Sequence, residues 1–346
     1  MDQMFTKIKS LPEIKEPSFK IHIKQKKKEM NNCNIIKLFT IFLFLVIIII
    51  LKNCKIIEQK AKIRNSFEKN NIEKDNIFLD QFETDIYNKI REKLTNTTCS
   101  QMWSNQREFL NGVIRKFRPK KIVEVGTAQG GASIVILNAI QDIENSHLFS
   151  IDLDISNNVG SCVRNYFPEF LNKWTLFQGD VAAKFIEHIG NNIDMLFIDS
   201  AHLEPGEILD FLIVLPFLKE NAIVGFHDIG NQITVSQQRQ EWAPYIIFNM
   251  IRGKKYLPSG HKQLRHDIGI RILDSNQKKY FNDYFRSLGG QWQYFPKEKH
   301  ISLIYEYLKK YYDDDCLLMF NETVEFNREF VKKNPMGVIY SYTKER

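Results

Sequence analysis

Short runs of β-branched, aliphatic and aromatic residues alternate with segments of helical spacing along the middle of the chain. The runs are four to six residues long and fall at 122–125, 148–151, 174–177, 193–198 and 222–226. Runs of this length between helical segments are typical of buried strands in βαβ units. Because each parallel strand needs a crossover connection, the alternation predicts an α/β fold with a doubly wound parallel sheet. Helical spacing at 78–94 and 102–117 predicts two helices before the first strand, and the run at 268–273 predicts a further strand suited to the edge of the sheet.

A glycine-rich turn follows the first predicted strand and leads into an apolar helix. Gly126 and Gly130 allow a ligand to approach the backbone where a Cβ would collide, and the N-terminus of the helix adds a positive dipole. The dinucleotide fingerprint G-x-G-x-x-G is not met, since Ala128 stands at its middle glycine. Glu124 would repel a pyrophosphate and suits an ammonium group. The turn therefore favours a nucleotide-like cofactor that carries an amino-acid end.

Carboxylates also end the second and third predicted strands. Asp152 comes 26 residues after Gly126 and is placed to accept both hydroxyls of a ribose, as in other doubly wound sheets. Asp180 suits the amino group of an adenine, and it equally suits a helix cap.

The fourth and fifth predicted strands end in ionisable side chains. Asp199 and His202 follow the fourth strand, and His227 and Asp228 end the fifth. Ligands bind beyond the carboxyl ends of strands in open α/β sheets, so we expect one crevice to hold all four groups. Carboxylates can bind a divalent cation there, and an imidazole can take a proton from a hydroxyl. Each residue taken alone is also compatible with a helix cap or a structural histidine.

The turn and the two later strand ends resemble a known family. The pattern E-x-G-x-A-x-G at 124–130 resembles motif I of class I S-adenosylmethionine (AdoMet) methyltransferases. The sequences I-D-S-A-H at 198–202 and F-H-D-I at 226–229 resemble the metal-dependent O-methyltransferases grouped with cephalosporin hydroxylase and the macrolide-sugar O-methyltransferases. Two departures are visible. Ser200 and Ala201 replace a usual Gly-Asp pair, and His227 stands where the sugar-modifying relatives have a carboxylate.

This resemblance spans about residues 105–275 and implies a Rossmann-like, seven-stranded sheet with helices on both faces. It implies AdoMet as the cofactor, bound by Glu124, Gly126, Thr127, Gly130, Asp152 and Asp180. By the resemblance Asp199 and Asp228 would hold a divalent metal ion, Mg²⁺ by default, and the chemistry of the strand end adds His227 as the third candidate ligand. His202 would be the general base.

Charge and cysteine content limit the partners. The first 70 residues hold 15 Lys and Arg against 6 Asp and Glu, so the basic charge of the chain belongs to this segment. The near-neutral remainder lacks the basic surface that nucleic-acid binding requires, and we expect no nucleic-acid partner. Five cysteines lie far apart without a C-x-x-C pair, which argues against a structural zinc site or a disulfide framework but allows a single disulfide.

A largely apolar run at 35–51, which includes Lys37 near its start and is followed by Lys52, predicts a membrane anchor. As a helix it would be about 26 Å long, enough for a thin bilayer. The run follows a long leader and lacks a cleavage site, so we interpret it as a single-pass signal anchor. Basic residues before the run favour a cytoplasmic N-terminus, which places the catalytic domain in the ER or Golgi lumen. Glycosylation sequons at Asn96 and Asn321 are compatible with that side.

The predicted order along the chain is a basic tail at 1–34, the anchor at 35–52, a stalk at 53–75, the methyltransferase domain at 76–275 and a helical extension at 276–346. The extension carries no chemical motif and is available for homodimerisation. We expect an AdoMet-dependent O-methyltransferase acting on a hydroxyl of a sugar or glycan. Two alternatives are a metal-dependent hydroxylase of the cephalosporin-hydroxylase type and a non-catalytic, membrane-anchored binding module.

Overall fold

The computed structural model describes residues 78–230, 241–259 and 267–333. The predicted tail, anchor and stalk lie outside these ranges. Within them, no helix combines the length and the apolar character that a membrane span requires. The anchor and its topology therefore stay predictions.

Strands and helices alternate through the described chain as the pattern predicts. The strands are β1 (Lys121–Val125), β2 (His147–Asp152), β3 (Trp174–Gln178), β4 (Ile193–Ile198), β5 (Leu218–His227), β6 (Gly253–Tyr256) and β7 (Ile268–Leu273). The α-helices are α1 (Thr84–Asn96), α2 (Ser104–Phe117), α3 (Gly131–Ala139), α4 (Ser161–Tyr166), α5 (Ile186–Ile189), α6 (Gly206–Val214), α7 (Ala243–Met250), α8 (Phe281–Arg286), α9 (Glu298–Tyr311) and α10 (Asp314–Lys333). Short 3₁₀ turns connect several of them.

All seven strands form one sheet in the order β3-β2-β1-β4-β5-β7-β6. Neighbouring strands from β3 to β5 run parallel, whereas β7 is antiparallel to both β5 and β6. The chain moves outward from β1 to β3 and then returns to place β4 on the other side of β1. This reversal opens a crevice at the carboxyl ends of β1 and β4, the usual ligand position in such sheets. The expected α/β fold with seven strands is confirmed, but the sheet is mixed and not purely parallel, because β7 runs antiparallel to both of its neighbours.

One strand lies elsewhere than expected. Residues 268–273 suit an edge strand by their pattern, but β7 lies between β5 and β6 and the edge is β6. The β6 sequence Gly-Lys-Lys-Tyr carries no apolar run because an edge strand pairs on one side only and its lysines face solvent. Hydrophobic runs in the sequence therefore do not predict strand β6.

The helical C-terminal segment packs into the main core. Side chains of α9 and α10, among them Ile304, Leu308 and Phe320, lie in one buried cluster with strand residues such as Leu196 and Val224. The hydroxyl of Tyr312 donates to the backbone oxygen of Leu212 in α6. The segment is therefore structurally continuous with the sheet domain.

Candidate active site

The glycine turn after β1 is shaped by close backbone packing. Gly126 has φ of +90°, and a Cβ on it would lie 1.9 Å from the carbonyl oxygen of Asp199. Gly130 has φ of +95° and caps the N-terminus of α3. Both positions require glycine, since other residues rarely adopt such angles and the first has no room for a side chain. The turn also lies directly against the end of β4, because the Asp199 N–H donates to the Val125 carbonyl at 2.9 Å.

Asp152 at the end of β2 folds back onto this turn. Its Oδ2 accepts hydrogen bonds from the backbone N–H groups of Thr127 and Ala128, both at 2.9 Å. Its Oδ1 accepts from the Asp154 N–H at 2.9 Å. The structure thus brings together three predicted cofactor positions, namely Asp152, Thr127 and Gly126. Asp152 fixes the turn in addition to any contact with a ligand.

Glu124 is enclosed beneath the turn. The side chain has no exposed surface, and its Oε2 accepts from the hydroxyls of Ser133 in α3 and Ser150 in β2 at 2.6 and 2.5 Å. Burial raises the pKa of Glu124 to about 8, although the two serine hydroxyls oppose the shift. The expected contact with a cofactor ammonium group is not available in this conformation, because protein atoms surround the carboxyl. That contact stays a prediction, and the structure gives Glu124 the additional role of joining α3 to β2.

A disulfide links Cys99 with Cys162 behind the turn. The Cys162 N–H donates to the carbonyl of Gln129, and the Gly160 N–H donates to that of Ala128, at 3.0 and 2.7 Å. The single disulfide that the sequence allowed therefore ties α4 and the turn to the segment before α2.

Asp180 lies at the carboxyl end of β3, 28% of its side chain exposed. Its Oδ1 accepts the Val181 N–H at 2.9 Å, just before a 3₁₀ turn that has no side-chain cap, so the capping alternative is not observed in this form. His300 of α9 brings its Nε2 within 3.8 Å of the same oxygen. Contact with an adenine stays a prediction.

The ends of β4 and β5 bring the predicted chemical groups together. One ligand atom each from Asp199, His202 and Asp228 lie within 4.8 Å of one another. The His202 Nε2 is 3.0 Å from Asp228 Oδ2 and 3.9 Å from Asp199 Oδ1. Asp228 has φ of +54°, a conformation that is uncommon outside glycine and recurs at functional sites. These three side chains remain partly exposed, so a ligand can reach them.

Glu207 contacts the ring nitrogen of His202 that does not face Asp199 and Asp228. It lies in the first turn of α6 without exposed surface, and its Oε1 lies 2.9 Å from His202 Nδ1. The same oxygen accepts the Ser200 N–H at 3.1 Å, so it is an acceptor and His202 carries its proton on Nδ1. The other ring nitrogen, Nε2, then faces Asp228 and Asp199 in the cluster. Glu207 is one of two acidic residues, with Asp210, in the otherwise apolar 206–214 segment, and that contrast was the sequence signal for this partner.

His227 contributes a second imidazole from the buried side. Its Nδ1 lies 3.1 Å from Asp228 Oδ2 and 3.5 Å from Asp199 Oδ1, and its Nε2 lies 3.3 Å from Gln106 Oε1. Gln106 belongs to α2, far before the strand ends, and no sequence pattern pointed to it.

The carboxylates and imidazoles of this cluster shift one another's protonation. Burial alone would raise the pKa of Asp228, but the hydrogen bond with His202 and the electrostatic attraction of His227 lower it well below its usual range. Burial would lower the pKa of both histidines, yet the neighbouring carboxylates raise each well above its ordinary value. Burial raises the pKa of Glu207 to about 7 against the opposing bond from His202. The cluster therefore binds positive charge strongly, as protons or as a cation.

The fold and the site define a class of protein. A seven-stranded sheet with one reversed strand, a glycine turn after β1 and acidic strand ends above it are the features expected of a class I AdoMet-dependent methyltransferase. Residues 123–229 match the family model described as a methyltransferase domain. The chain therefore carries a methyltransferase domain of the AdoMet-dependent class. This finding favours the methyltransferase expectation over the hydroxylase and the non-catalytic module.

Solved structures give weaker likenesses. The O-methyltransferase from Bacillus cereus in complex with SAH is 13% identical, with 61% of this chain and 97% of that chain covered and a TM-score of 0.41. The O-methyltransferase TomG from Streptomyces achromogenes, in complex with SAM, is 15% identical over 62% and 96% of the two chains, with a TM-score of 0.40. At these identities and scores we draw no functional conclusion from them. No curated protein sequence matches the chain.

Proposed function

We propose that the protein is an AdoMet-dependent O-methyltransferase whose acceptor is a hydroxyl group. The observation that carries this proposal is the partly exposed His202 Nε2 beside Asp199 and Asp228, next to the glycine turn. A hydroxyl is a poor nucleophile until it loses its proton, so an acceptor of this kind needs a base. Amine and thiol acceptors need such help far less.

His202 takes the proton in this mechanism. Glu207 fixes the ring by accepting from Nδ1–H, so Nε2 faces the acceptor side and receives the hydroxyl proton as the new carbon–oxygen bond forms. AdoMet supplies the methyl group from its sulfonium and leaves as S-adenosylhomocysteine. Such a displacement needs an in-line approach, and the close packing of Gly126 on Asp199 keeps the glycine turn next to the chemical groups at the end of β4.

The residues present also fit a divalent cation. Asp199, Asp228 and His227 offer two carboxylates and one imidazole, and the His227 Nδ1 is buried without a hydrogen bond. A divalent ion bound by these residues would lower the pKa of the acceptor hydroxyl. The three residues then leave His202 available to the substrate.

We place this activity on a sugar or glycan in the secretory lumen, on a type II anchor. The apolar run at 35–51 and the family resemblance support this placement. The Cys99–Cys162 disulfide supports it independently, since disulfides persist in oxidising compartments. Asn96 and Asn321 of the two sequons are exposed on the described surface.

Endoglycosidase treatment of the expressed protein tests this placement. We expect the enzyme to shift the electrophoretic mobility of the protein, and we expect the double variant Asn96→Gln, Asn321→Gln to show no such shift. A protein whose mobility does not change and whose catalytic domain is accessible to protease from the cytosolic side would place the domain in the cytosol.

The function is tested with the full chain in detergent, AdoMet and panels of glycans, catechols and amines. We expect S-adenosylhomocysteine to accumulate with a hydroxyl acceptor, and mass spectrometry to locate the methyl group on oxygen. Methylation confined to nitrogen, sulfur or carbon would overturn the O-transfer assignment. So would tight AdoMet binding without turnover on any hydroxyl compound of the panels.

A further inference from the structure

The contact between Gln106 and His227 defines which ring nitrogen carries a proton. Gln106 Oε1 accepts the backbone N–H of Trp103 at 2.6 Å, so the oxygen of this amide, and not its nitrogen, faces that donor. The same Oε1 lies 3.3 Å from His227 Nε2. A carbonyl oxygen cannot donate, and therefore the hydrogen in this bond belongs to Nε2.

The other nitrogen of His227 then faces the carboxylates with a lone pair. Nδ1 is buried and makes no hydrogen bond, although Asp228 Oδ2 and Asp199 Oδ1 lie 3.1 and 3.5 Å away. A lone pair directed at two carboxylate oxygens is repulsive, so this arrangement is stable only with a positive charge between them. The charge is either an added proton on Nδ1 or a cation bound by all three groups.

His202 and His227 differ in the exposed fraction of their side chains and in the group that holds each ring. The side chain of His227 is 8% exposed and is held by a neutral amide, whereas that of His202 is 24% exposed and is held by the carboxylate of Glu207. A base must be reached by the acceptor, which suits His202. A metal ligand must be fixed through its second nitrogen, and an imidazole bound to a metal almost always donates that N–H to an oxygen. Gln106 provides such an oxygen to His227.

We propose that His227, oriented by Gln106, is a nitrogen ligand of the divalent cation together with Asp199 and Asp228, and that the site selects a first-row transition ion over Mg²⁺. This inference rests on the proposed function only in placing the ion at the acceptor site. Mg²⁺ prefers an all-oxygen shell, while imidazole suits Fe²⁺, Co²⁺, Ni²⁺ and Zn²⁺. The default expectation of Mg²⁺ follows from the carboxylate ligands Asp199 and Asp228. The nitrogen of His227 makes the ligand set mixed, and a mixed set suits Mg²⁺ less well.

Binding of metal to the full chain tests this directly, without an activity assay. Equilibrium dialysis measures Co²⁺ and Mg²⁺ affinity, and the visible absorption of bound Co²⁺ reports nitrogen coordination. We expect Co²⁺ to bind at least about tenfold more tightly than Mg²⁺. His227→Asp restores an all-oxygen set and should bring the Co²⁺ to Mg²⁺ ratio toward one and change the Co²⁺ spectrum.

Gln106 gives a second, milder variant. Gln106→Leu removes the oxygen that fixes His227 and should weaken Co²⁺ binding by about 10–100-fold. Gln106→Glu keeps an acceptor oxygen there and should retain most of the affinity. Gln141→Leu, at an exposed helix end, is the matched control and should bind Co²⁺ like the parent chain. His202→Ala should also keep Co²⁺ affinity if His202 is the base.

Each outcome decides a different point. Equal affinity for Co²⁺ and Mg²⁺ in the parent chain, or an unaffected Gln106→Leu, overturns the nitrogen ligand. If the chain binds neither Co²⁺ nor Mg²⁺, the metal-ligand proposal is overturned and the positive charge beside His227 is an added proton. A loss in His202→Ala as large as in His227→Asp makes His202 a ligand too and contradicts the division of roles. Methyl transfer without metal binding refutes this inference alone, and metal binding without methyl transfer refutes the proposed function alone.

Discussion

The two ends of the crevice satisfy their carboxylates in opposite ways. At the ends of β1 and β2, Asp152 accepts three backbone N–H groups and Glu124 accepts two hydroxyls at Oε2, while its Oε1 is buried without a hydrogen bond. At the ends of β4 and β5, Asp199 and Asp228 face two imidazole nitrogens, one of them buried without a hydrogen bond. The first end is held in shape by its own bonds. The second end depends on added positive charge.

This difference indicates that the ends of β1 and β2 serve cofactor binding and that the ends of β4 and β5 serve the chemical step. A cofactor turn must keep one shape, and internal hydrogen bonds provide that because each one fixes a backbone group. A catalytic cluster must exchange protons, which requires groups whose partners are incomplete. Gly126 packs on Asp199 at the junction, so the two ends keep a fixed spacing even though their bonding differs.

The largest effect is expected at the catalytic end. His202→Ala removes the base and should reduce turnover by roughly 10²–10⁴-fold, with AdoMet affinity retained because the ring contacts Glu207, Asp228 and Asp199 at the chemical end of the crevice. Turnover from S-adenosylhomocysteine release and affinity from calorimetry are measured side by side. His188→Ala, an exposed histidine on α5, is the control. A parallel fall of turnover and AdoMet affinity would show that the two ends are not separable.

At the cofactor end the expected change is in stability. Replacing Cys99 and Cys162 by serine opens a disulfide that spans 63 residues and should cost about 2–5 kcal/mol in the free energy of unfolding. AdoMet affinity should fall as well, because the segment around Cys162 holds the turn through Gln129 and Ala128. Denaturant unfolding with and without dithiothreitol measures the stability. Reduction should weaken the parent chain and leave the double variant unchanged; a parent chain that ignores the reductant would contradict the role of the disulfide.

A variant of Asp152 tests whether this carboxylate supports AdoMet binding, through its hydrogen bonds to the turn or through contact with the ribose. Asp152→Ala removes the acceptor for the Thr127 and Ala128 N–H groups and for a ribose, and should weaken AdoMet binding by about 1–3 kcal/mol. Calorimetry on this variant is compared with Glu169→Ala, an exposed acid on the same half of the sheet. An affinity equal to that of the control would mean that the carboxylate serves neither purpose.

The sequence predicts the scaffold because hydrophobic period and turn chemistry are local. The strands around 122–125 and 193–198, the glycine turn and the gathering of Asp199, His202, His227 and Asp228 at one edge all follow from local pattern and the geometry of parallel sheets. Strand β6 did not follow, because its Gly-Lys-Lys-Tyr sequence has no apolar run.

The partners of the chemical groups were not predictable. Gln106 lies 121 residues before His227, and nothing in an amphipathic helix marks one glutamine as its partner. Glu124 was expected to face a ligand because it precedes the turn by two residues. In the structure its Oε2 accepts from Ser133 of α3 and Ser150 of β2, two partners that no sequence pattern marked. Such contacts depend on tertiary packing, which spacing alone does not specify.

The smallest effect on cofactor binding is expected at Glu124. Its pKa is raised to about 8 in the folded chain from an ordinary 4.5, so its contribution to stability is complete below about pH 4.5 and is lost as the pH rises through about 8. Glu124→Gln keeps an oxygen for Ser133 and Ser150 and cannot ionise. The free energy of unfolding of the parent chain should therefore fall relative to the variant between pH 5 and pH 8, as measured by urea unfolding at several pH values. Because the side chain is enclosed, AdoMet affinity should change by less than about 1 kcal/mol, and a loss as large as that in Asp152→Ala would show that this carboxyl reaches the cofactor after all.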